Sequence, residues 1–139
     1  MIANQEHVKK LIPQKAPFVM VDTLLSYTEE SLKSSFTITK NNLFVDKNIF
    51  VESGIIEHMA QSVALHTGYQ FFLMHKEAPT GYIGSIKNVE ISRFPKTGEV
   101  LETTISILQE FMGITLVEIE VKIENEWIAK GQMKTVLAK

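Results

Sequence analysis

The sequence predicts an α+β domain in which antiparallel sheet wraps one long central helix, and three observations carry that reading. Between Ser53 and about Lys76, apolar residues recur at helical spacing. The chain beyond that stretch breaks into strand-length apolar or alternating runs separated by turn residues. Two more runs of strand character precede it. At 139 residues, positions 1–139 form a single domain. One apolar helix beside so much antiparallel strand has to be covered by sheet.

The elements follow in order. Lys9-Lys10-Leu11-Ile12-Pro13 reads as a short helical turn stopped by Pro13. Phe18 to Thr28 is rich in β-branched and large apolar residues, as strands are. Glu29-Glu30 turns the chain into Ser31 to Lys40. There Leu32, Ser34, Phe36 and Ile38 alternate with Lys33, Ser35, Thr37 and Thr39. Asn41 to Phe50 reads as a loop. Ser53 is the expected N-cap, and Gly54 opens the helix. Ile55, Ile56, Met59, Ala60, Val63 and Ala64 form its apolar stripe. Gly68 in mid-helix costs about 1 kcal/mol relative to Ala, so close backbone packing is expected there. Past Pro79-Thr80-Gly81 come four runs, Tyr82 to Phe94, Glu99 to Met112, Ile114 to Glu124 and Trp127 to Leu137, read as a four-strand meander. Pro95-Lys96-Thr97-Gly98, Met112-Gly113 and Glu124-Asn125-Glu126 supply the turns. This is the layout of a hotdog fold.

Composition removes several classes of function. A formal net charge of -2 argues against a nucleic-acid partner, which demands a strongly basic face. With no cysteine, disulfides and thiolate metal sites are excluded. The carboxylates Asp22, Asp46, Glu52 and Glu57 stand at no metal-ligand spacing with a histidine, so no metal is expected. Glycine-rich phosphate loops and serine-elbow motifs are absent. The start MIANQEHVKK has no apolar run behind its basic residues, and Gln70 to Met74 is far too short to span a bilayer. A cytoplasmic protein without membrane partners is the expectation.

One residue stands out. Glu57 lies inside SGIIEHMAQSVALHTGY, in the middle of the helix. Taken alone, it reads as a rim glutamate beside a core stripe, or as a carboxyl group facing a cavity where it is used.

Three segments taken together resemble a known family. Leu11-Ile12-Pro13-Gln14-Lys15-Ala16-Pro17-Phe18, running on to Asp22, resembles the opening motif of the β-hydroxyacyl-(acyl carrier protein) dehydratases. Glu57-His58-Met59-Ala60-Gln61 resembles their helix motif, glutamate-x-methionine-alanine-glutamine. Ser92-Arg93-Phe94-Pro95 through Thr97-Gly98-Glu99 resembles their arginine-phenylalanine strand and the turn after it. The match spans roughly residues 10 to 137.

The resemblance implies loss of water from a 3-hydroxyacyl thioester carried on the phosphopantetheine arm of acyl carrier protein, with no further cofactor. It places Glu57 at the position of the catalytic acid, facing an acyl tunnel between two subunits. An apolar tunnel suits a carboxyl group to proton donation. Gln61, one turn on, is then placed to meet the carboxyl group or the substrate. Backbone N–H groups at the helix start, around Gly54, can polarise the thioester oxygen. Arg93 and Phe94 fall near the tunnel mouth, where Arg93 either meets the carrier's phosphate or acidic residues, with Lys87 and Lys96 as helpers, or forms a structural ion pair. Tyr82 and Phe94 are candidate tunnel walls.

The pattern also breaks. Family members carry their base in a histidine-phenylalanine-proline-glycine loop ahead of the helix. The corresponding residues here, Leu43 to Glu52, contain no histidine, proline or glycine. His58 adjoins Glu57 and points about 100° away around the helix, so it can serve only across a subunit interface. His66 is expected to be a partly buried polar residue, and His7 and His75 exposed ones. Gln14 stands where the opening motif has a histidine, and no catalytic role is assigned to it. In lacking the loop histidine, the chain is most similar to the dehydratase-like members of aryl-polyene-type pigment pathways. These pair with a histidine-bearing homologue. The expectation is therefore at least a dimer, a homodimer or a heterodimer with such a homologue. Two alternatives are a non-catalytic carrier-binding or partner subunit and a hotdog acyl thioesterase, in which a helix carboxylate activates water.

Overall fold

The computed structural model describes residues 1–138. Helix α1 (Gln5–Leu11) is capped by the Asn4 side chain, which accepts from the His7 N–H. Strands β1 (Thr23–Thr28) and β2 (Ser31–Thr37) form a hairpin. A tight hairpin of β3 (Val45–Asp46) and β4 (Ile49–Phe50) leads into the long helix α2 (Glu52–Leu73). Then come β5 (Gly81–Ile91), β6 (Val100–Phe111), β7 (Ile114–Ile123) and β8 (Glu126–Leu137).

The main sheet is antiparallel with strand order β1-β2-β6-β7-β8-β5. This corrects the expected meander. Only β6, β7 and β8 are consecutive neighbours, while β5 crosses to the far edge and pairs with β8. The β6–β7 and β7–β8 connections have two positive-φ residues each, Met112-Gly113 and Glu124-Asn125, the backbone of the mirror-image turns that match strand twist. Lys47-Asn48 closes the β3–β4 hairpin the same way, so part of the expected Asn41–Phe50 loop is a small ribbon.

Alternation decides which face is inside. Leu32, Ser34, Phe36 and Ile38 are buried, as are Val117, Ile119, Val121 and Ile123, and between them they line the face that covers α2. Helix α2 packs on β2, β6, β7 and α1 and is buried on more than one side. Besides Ile55, Met59, Val63 and Leu65, its buried set includes His58, Gln61, Ser62 and His66. Ile56, Ala60 and Ala64, expected in the stripe, are only half-buried. Each of these four buried polar side chains of the helix is paired. Ser62 bonds Ser34 (2.9 Å) and the His58 carbonyl, and His66 Nε2 donates to the Thr28 carbonyl (2.9 Å).

Two expectations about the helix are resolved differently. Gly68 does meet backbone at close range, since a Cβ there would lie 1.8 Å from the Leu11 carbonyl oxygen. Ser53 is not the N-cap. The helix begins two residues earlier, at Glu52, with Val51 at the cap position and no side-chain cap bond. The β3–β4 ribbon delivers the chain instead, with the Val51 N–H donating to the Phe44 carbonyl (2.9 Å). Among the described residues no helix is long and apolar enough to cross a membrane.

Candidate active site

Glu57 sits in the second turn of α2, half-buried, on the wall of a cavity of about 320 Å³. The helix side of that wall is Glu57, Ala60, Ala64 and Gly68. Tyr82 and Ile83 of β5 and Leu137 of β8 face it, with Leu11, Pro13 and Gln14 at one flank. The small helix residues leave the space, and the wall is mostly apolar, with Tyr82 and Ile83 exposed on its outer side.

Gln61 holds the carboxyl group from behind. Its Nε2 donates to Glu57 Oε2 (2.7 Å) and to the Phe18 carbonyl (2.7 Å), and its Oε1 accepts from the Met20 N–H (2.6 Å). A flipped amide would set oxygen against the Phe18 carbonyl and NH2 against the Met20 N–H, so only one orientation satisfies all three partners. Glu57 Oε2 is thereby fixed as an acceptor. Oε1 has no hydrogen-bond partner among the described residues, which leaves it to a ligand.

His58, the next residue, does something different. Its Nδ1 lies 2.6 Å from the Met20 carbonyl and its Nε2 2.6 Å from Thr103 Oγ1. A carbonyl can only accept, so Nδ1 carries the proton and Nε2 accepts from the threonine hydroxyl. Burial pushes the imidazole pKa down to about 4, against a smaller opposing effect of the Met20 hydrogen bond. With its one lone pair bonded and no exposed surface, His58 has no free basic nitrogen for catalysis, across an interface or otherwise. His66 is likewise buried and its pKa lowered, chiefly by desolvation. His7 packs edge-on against Phe72 and is half-buried rather than exposed, and His75 is exposed. None of the four lines the Glu57 cavity.

Of the other site residues expected from sequence, the chain brings two to Glu57. Gln61 touches it, and Tyr82 lines the same cavity. Gly54, Arg93 and Phe94 do not line it. Gly54 is buried where a Cβ would fall 2.7 Å from Phe44 and Phe50, and its N–H donates to the Val51 carbonyl (2.9 Å), so the ring packing accounts for it. Phe94 is exposed at 42%. Arg93 takes the structural alternative, an ion pair. Its Nη1 and Nη2 bond both oxygens of Glu99 (2.9 and 3.1 Å), and its Nε and Nη2 bond Glu126 (3.3 and 3.2 Å). These bonds raise its own pKa and hold the Glu99 carboxyl below the usual carboxylate range. The guanidinium is committed to its own chain and is not free for a phosphate. Gln14, given no role from sequence, is on the cavity wall. Its place in the opening motif was the available signal. Among the described residues no group of His, Asp and Glu is arranged to hold a metal ion.

Comparison with known proteins gives the family and the fold. The chain is similar to 3-hydroxyacyl-[acyl-carrier-protein] dehydratase FabZ of Shewanella sp. (strain MR-4), at 26% identity over 91% of this chain and 86% of that one. It is similar to FabZ of Petrotoga mobilis at 28% identity, over 88% and 94%. In structure it superposes on a chain of the dehydratase heterocomplex ApeI:P from Xenorhabdus doucetiae with a TM-score of 0.88 at 17% identity, covering 95% of this chain and 91% of that one. The Escherichia coli PaaI protein from the phenylacetic acid degradation operon gives 0.67 at 12% identity, over 82% and 81%. Those two likenesses establish the hotdog fold. The family model for ApeP-like proteins, described as ApeP dehydratase, matches residues 6–139, and the chain belongs to that family.

Proposed function

We propose that this chain contributes the acid of a 3-hydroxyacyl-carrier dehydratase and takes its base from a histidine-bearing hotdog homologue. One observation carries the reading: Gln61 fixes Glu57 on the cavity wall with Oε1 unpartnered, while none of the four histidines lines that cavity. Dehydration needs both a base and an acid. The FabZ relatives are 3-hydroxyacyl-ACP dehydratases, and the structurally similar ApeI:P is a heterocomplex, which supports a shared site.

The reaction on this reading runs as follows. The partner's base takes the proton from C2 of the acyl group, the C3–O bond breaks, and Glu57 Oε1 gives its proton to the departing hydroxyl. Water leaves and the C2=C3 bond forms. Gln61 acts as a positioning residue that keeps Oε2 an acceptor and so directs the proton to Oε1. Tyr82 and the small residues Ala60 and Ala64 cover the acyl chain. The substrate arrives on the phosphopantetheine of acyl carrier protein in the cytoplasm, with no bound cofactor required.

The test is dehydration of a 3-hydroxyacyl-carrier thioester by this chain alone, by the homologue alone and by the two together. We expect no turnover by this chain alone and turnover by the pair. Glu57→Gln in the pair is expected to lower the rate by about 10²–10⁴-fold with assembly intact. Robust dehydration by the homodimer would refute the divided site. A pair indifferent to Glu57→Gln would make this chain a carrier-binding or stabilising subunit, and hydrolysis lost on that substitution would make it a thioesterase.

A further inference from the structure

We infer that Gln14 receives the hydrogen of the substrate's 3-hydroxyl group and makes the cavity select hydroxylated over plain acyl chains. The inference rests on the dehydratase reading and deepens it. Gln14 lines the same cavity as Glu57, on the flank formed by the chain between α1 and Phe18. Its amide oxygen is buried and has no hydrogen-bond donor among the described residues. The other side-chain atom in that condition, Thr97 Oγ1, belongs to a residue outside this cavity's wall. A buried acceptor without a donor costs about 1–3 kcal/mol, and folded proteins keep few of them. The terminal torsion of glutamine is broad, so the oxygen can turn toward the cavity without moving the backbone.

The chemistry of the two groups is complementary to one hydroxyl. A hydroxyl offers one hydrogen and two lone pairs. Glu57 in its acid form donates through Oε1, because Oε2 is occupied by Gln61. An amide oxygen accepts. A 3-hydroxyl between them gives its hydrogen to Gln14 Oε1 and a lone pair to the Glu57 proton. In the reaction the C3–O electron pair leaves with the oxygen, which takes the Glu57 proton, while the C2 proton passes to the partner's histidine and the C2–H pair becomes the double bond. The water formed has two hydrogens, one held by Gln14 and the other by the Glu57 carboxylate. A saturated chain of the same length leaves the Gln14 oxygen unpaired.

The experiment uses the active pair and reads two quantities. They are KM for a 3-hydroxyacyl-carrier thioester and the inhibition constant of the saturated acyl thioester of equal length. In Gln14→Met, and in Gln14→Leu as an independent apolar variant, KM is expected to rise about tenfold with the inhibition constant unchanged. Gln14→His keeps an acceptor and is expected to stay close to the wild-type KM. If both quantities move together, Gln14 only packs the wall and the inference is overturned. No change in either overturns it too, as does a loss confined to assembly of the pair, which would assign the oxygen's donor to the partner. A wild-type pair that does not dehydrate the thioester removes the dehydratase reading and this inference together. A pair that dehydrates it leaves the ratio of the two constants to decide Gln14 alone.

Discussion

Two polar knots tie distant parts of this chain together, one in its interior and one on its surface, and they are built from opposite materials. In the interior, His58 and Gln61 of α2 clasp the backbone of the extended segment Phe18 to Met20, and His58 also reaches Thr103 on β6. The partners there are neutral, and all but the Phe18 carbonyl are buried. At the surface, Arg93 joins Glu99, just ahead of β6, to Glu126 at the start of β8 through charged groups that water reaches. Both knots contain the residue types that suggest catalysis or anion binding, and in both those groups are occupied by their own chain. The proposed acid, Glu57, is next to the interior knot in sequence and bonded to it through one arm of Gln61. Burial raises the worth of a hydrogen bond and the cost of losing it, while solvent lowers both.

The largest expected effect is therefore in the interior. His58→Ala strands the Met20 carbonyl and the Thr103 hydroxyl without partners and opens a cavity between α2 and β6. We expect a loss of about 4 kcal/mol in unfolding free energy, read from urea denaturation. Glu57→Gln, one residue away, is expected to change stability by less than about 1 kcal/mol while removing activity. Equal stability losses for the two variants would erase the distinction between strut and acid.

Acid should loosen the interior knot before the surface one. The folded chain keeps His58 neutral with a pKa of about 4, below the 6.5 of an unfolded histidine. Between those values the unfolded chain takes up a proton that the folded chain refuses, so stability is complete above pH 6.5 and falls as the pH falls toward 4. The full difference is about 3 kcal/mol. His66, also lowered, contributes in the same direction. Glu99 has a lowered carboxyl pKa, so its contribution is present above about pH 4.5 and is lost only below it. Denaturation at pH 7 and pH 5 checks this. A His58→Gln variant should lose much less stability over that interval than the wild type, and identical slopes would show that His58 is not the group responsible.

Much of the fold was legible because its signal is local. The alternation in β2 and β7, the tight turns, the long helix and the demand for a close neighbour at Gly68 all follow from one segment's own residues. The errors arose where partners are remote. Phe18 to Asp22 has strand composition, but its polar backbone groups at Phe18 and Met20 are taken by side chains of α2, so it stays outside the sheet. The helix stripe was drawn through apolar residues alone, whereas Ser34, Thr28 and Thr103 allow His58, Ser62 and His66 to face the core. Glu57 was visible through its motif. For Gln14 the motif marked only the position, since its distinguishing feature is a missing donor that three-dimensional packing reveals. For Arg93 an ion pair was a legible alternative, but its carboxylates, 6 and 33 positions away, were not.

The surface knot offers the smallest effect and the sharpest separation of structure from recognition. Arg93 is about one-third exposed and Glu126 more than half, so solvent and side-chain entropy offset much of the Coulomb gain. The bidentate fork on Glu99 keeps the value from vanishing. Arg93→Gln is expected to cost about 1 kcal/mol at low ionic strength, with most of that difference gone near 1 M salt. The rate of the active pair on a carrier-bound thioester should match the wild type, because a guanidinium held by two carboxylates has little net charge to offer a carrier. If KM rises for the carrier-bound substrate but not for the same acyl group on free pantetheine, the ion pairs must open to receive the carrier. The surface knot would then join the interior one in serving the site.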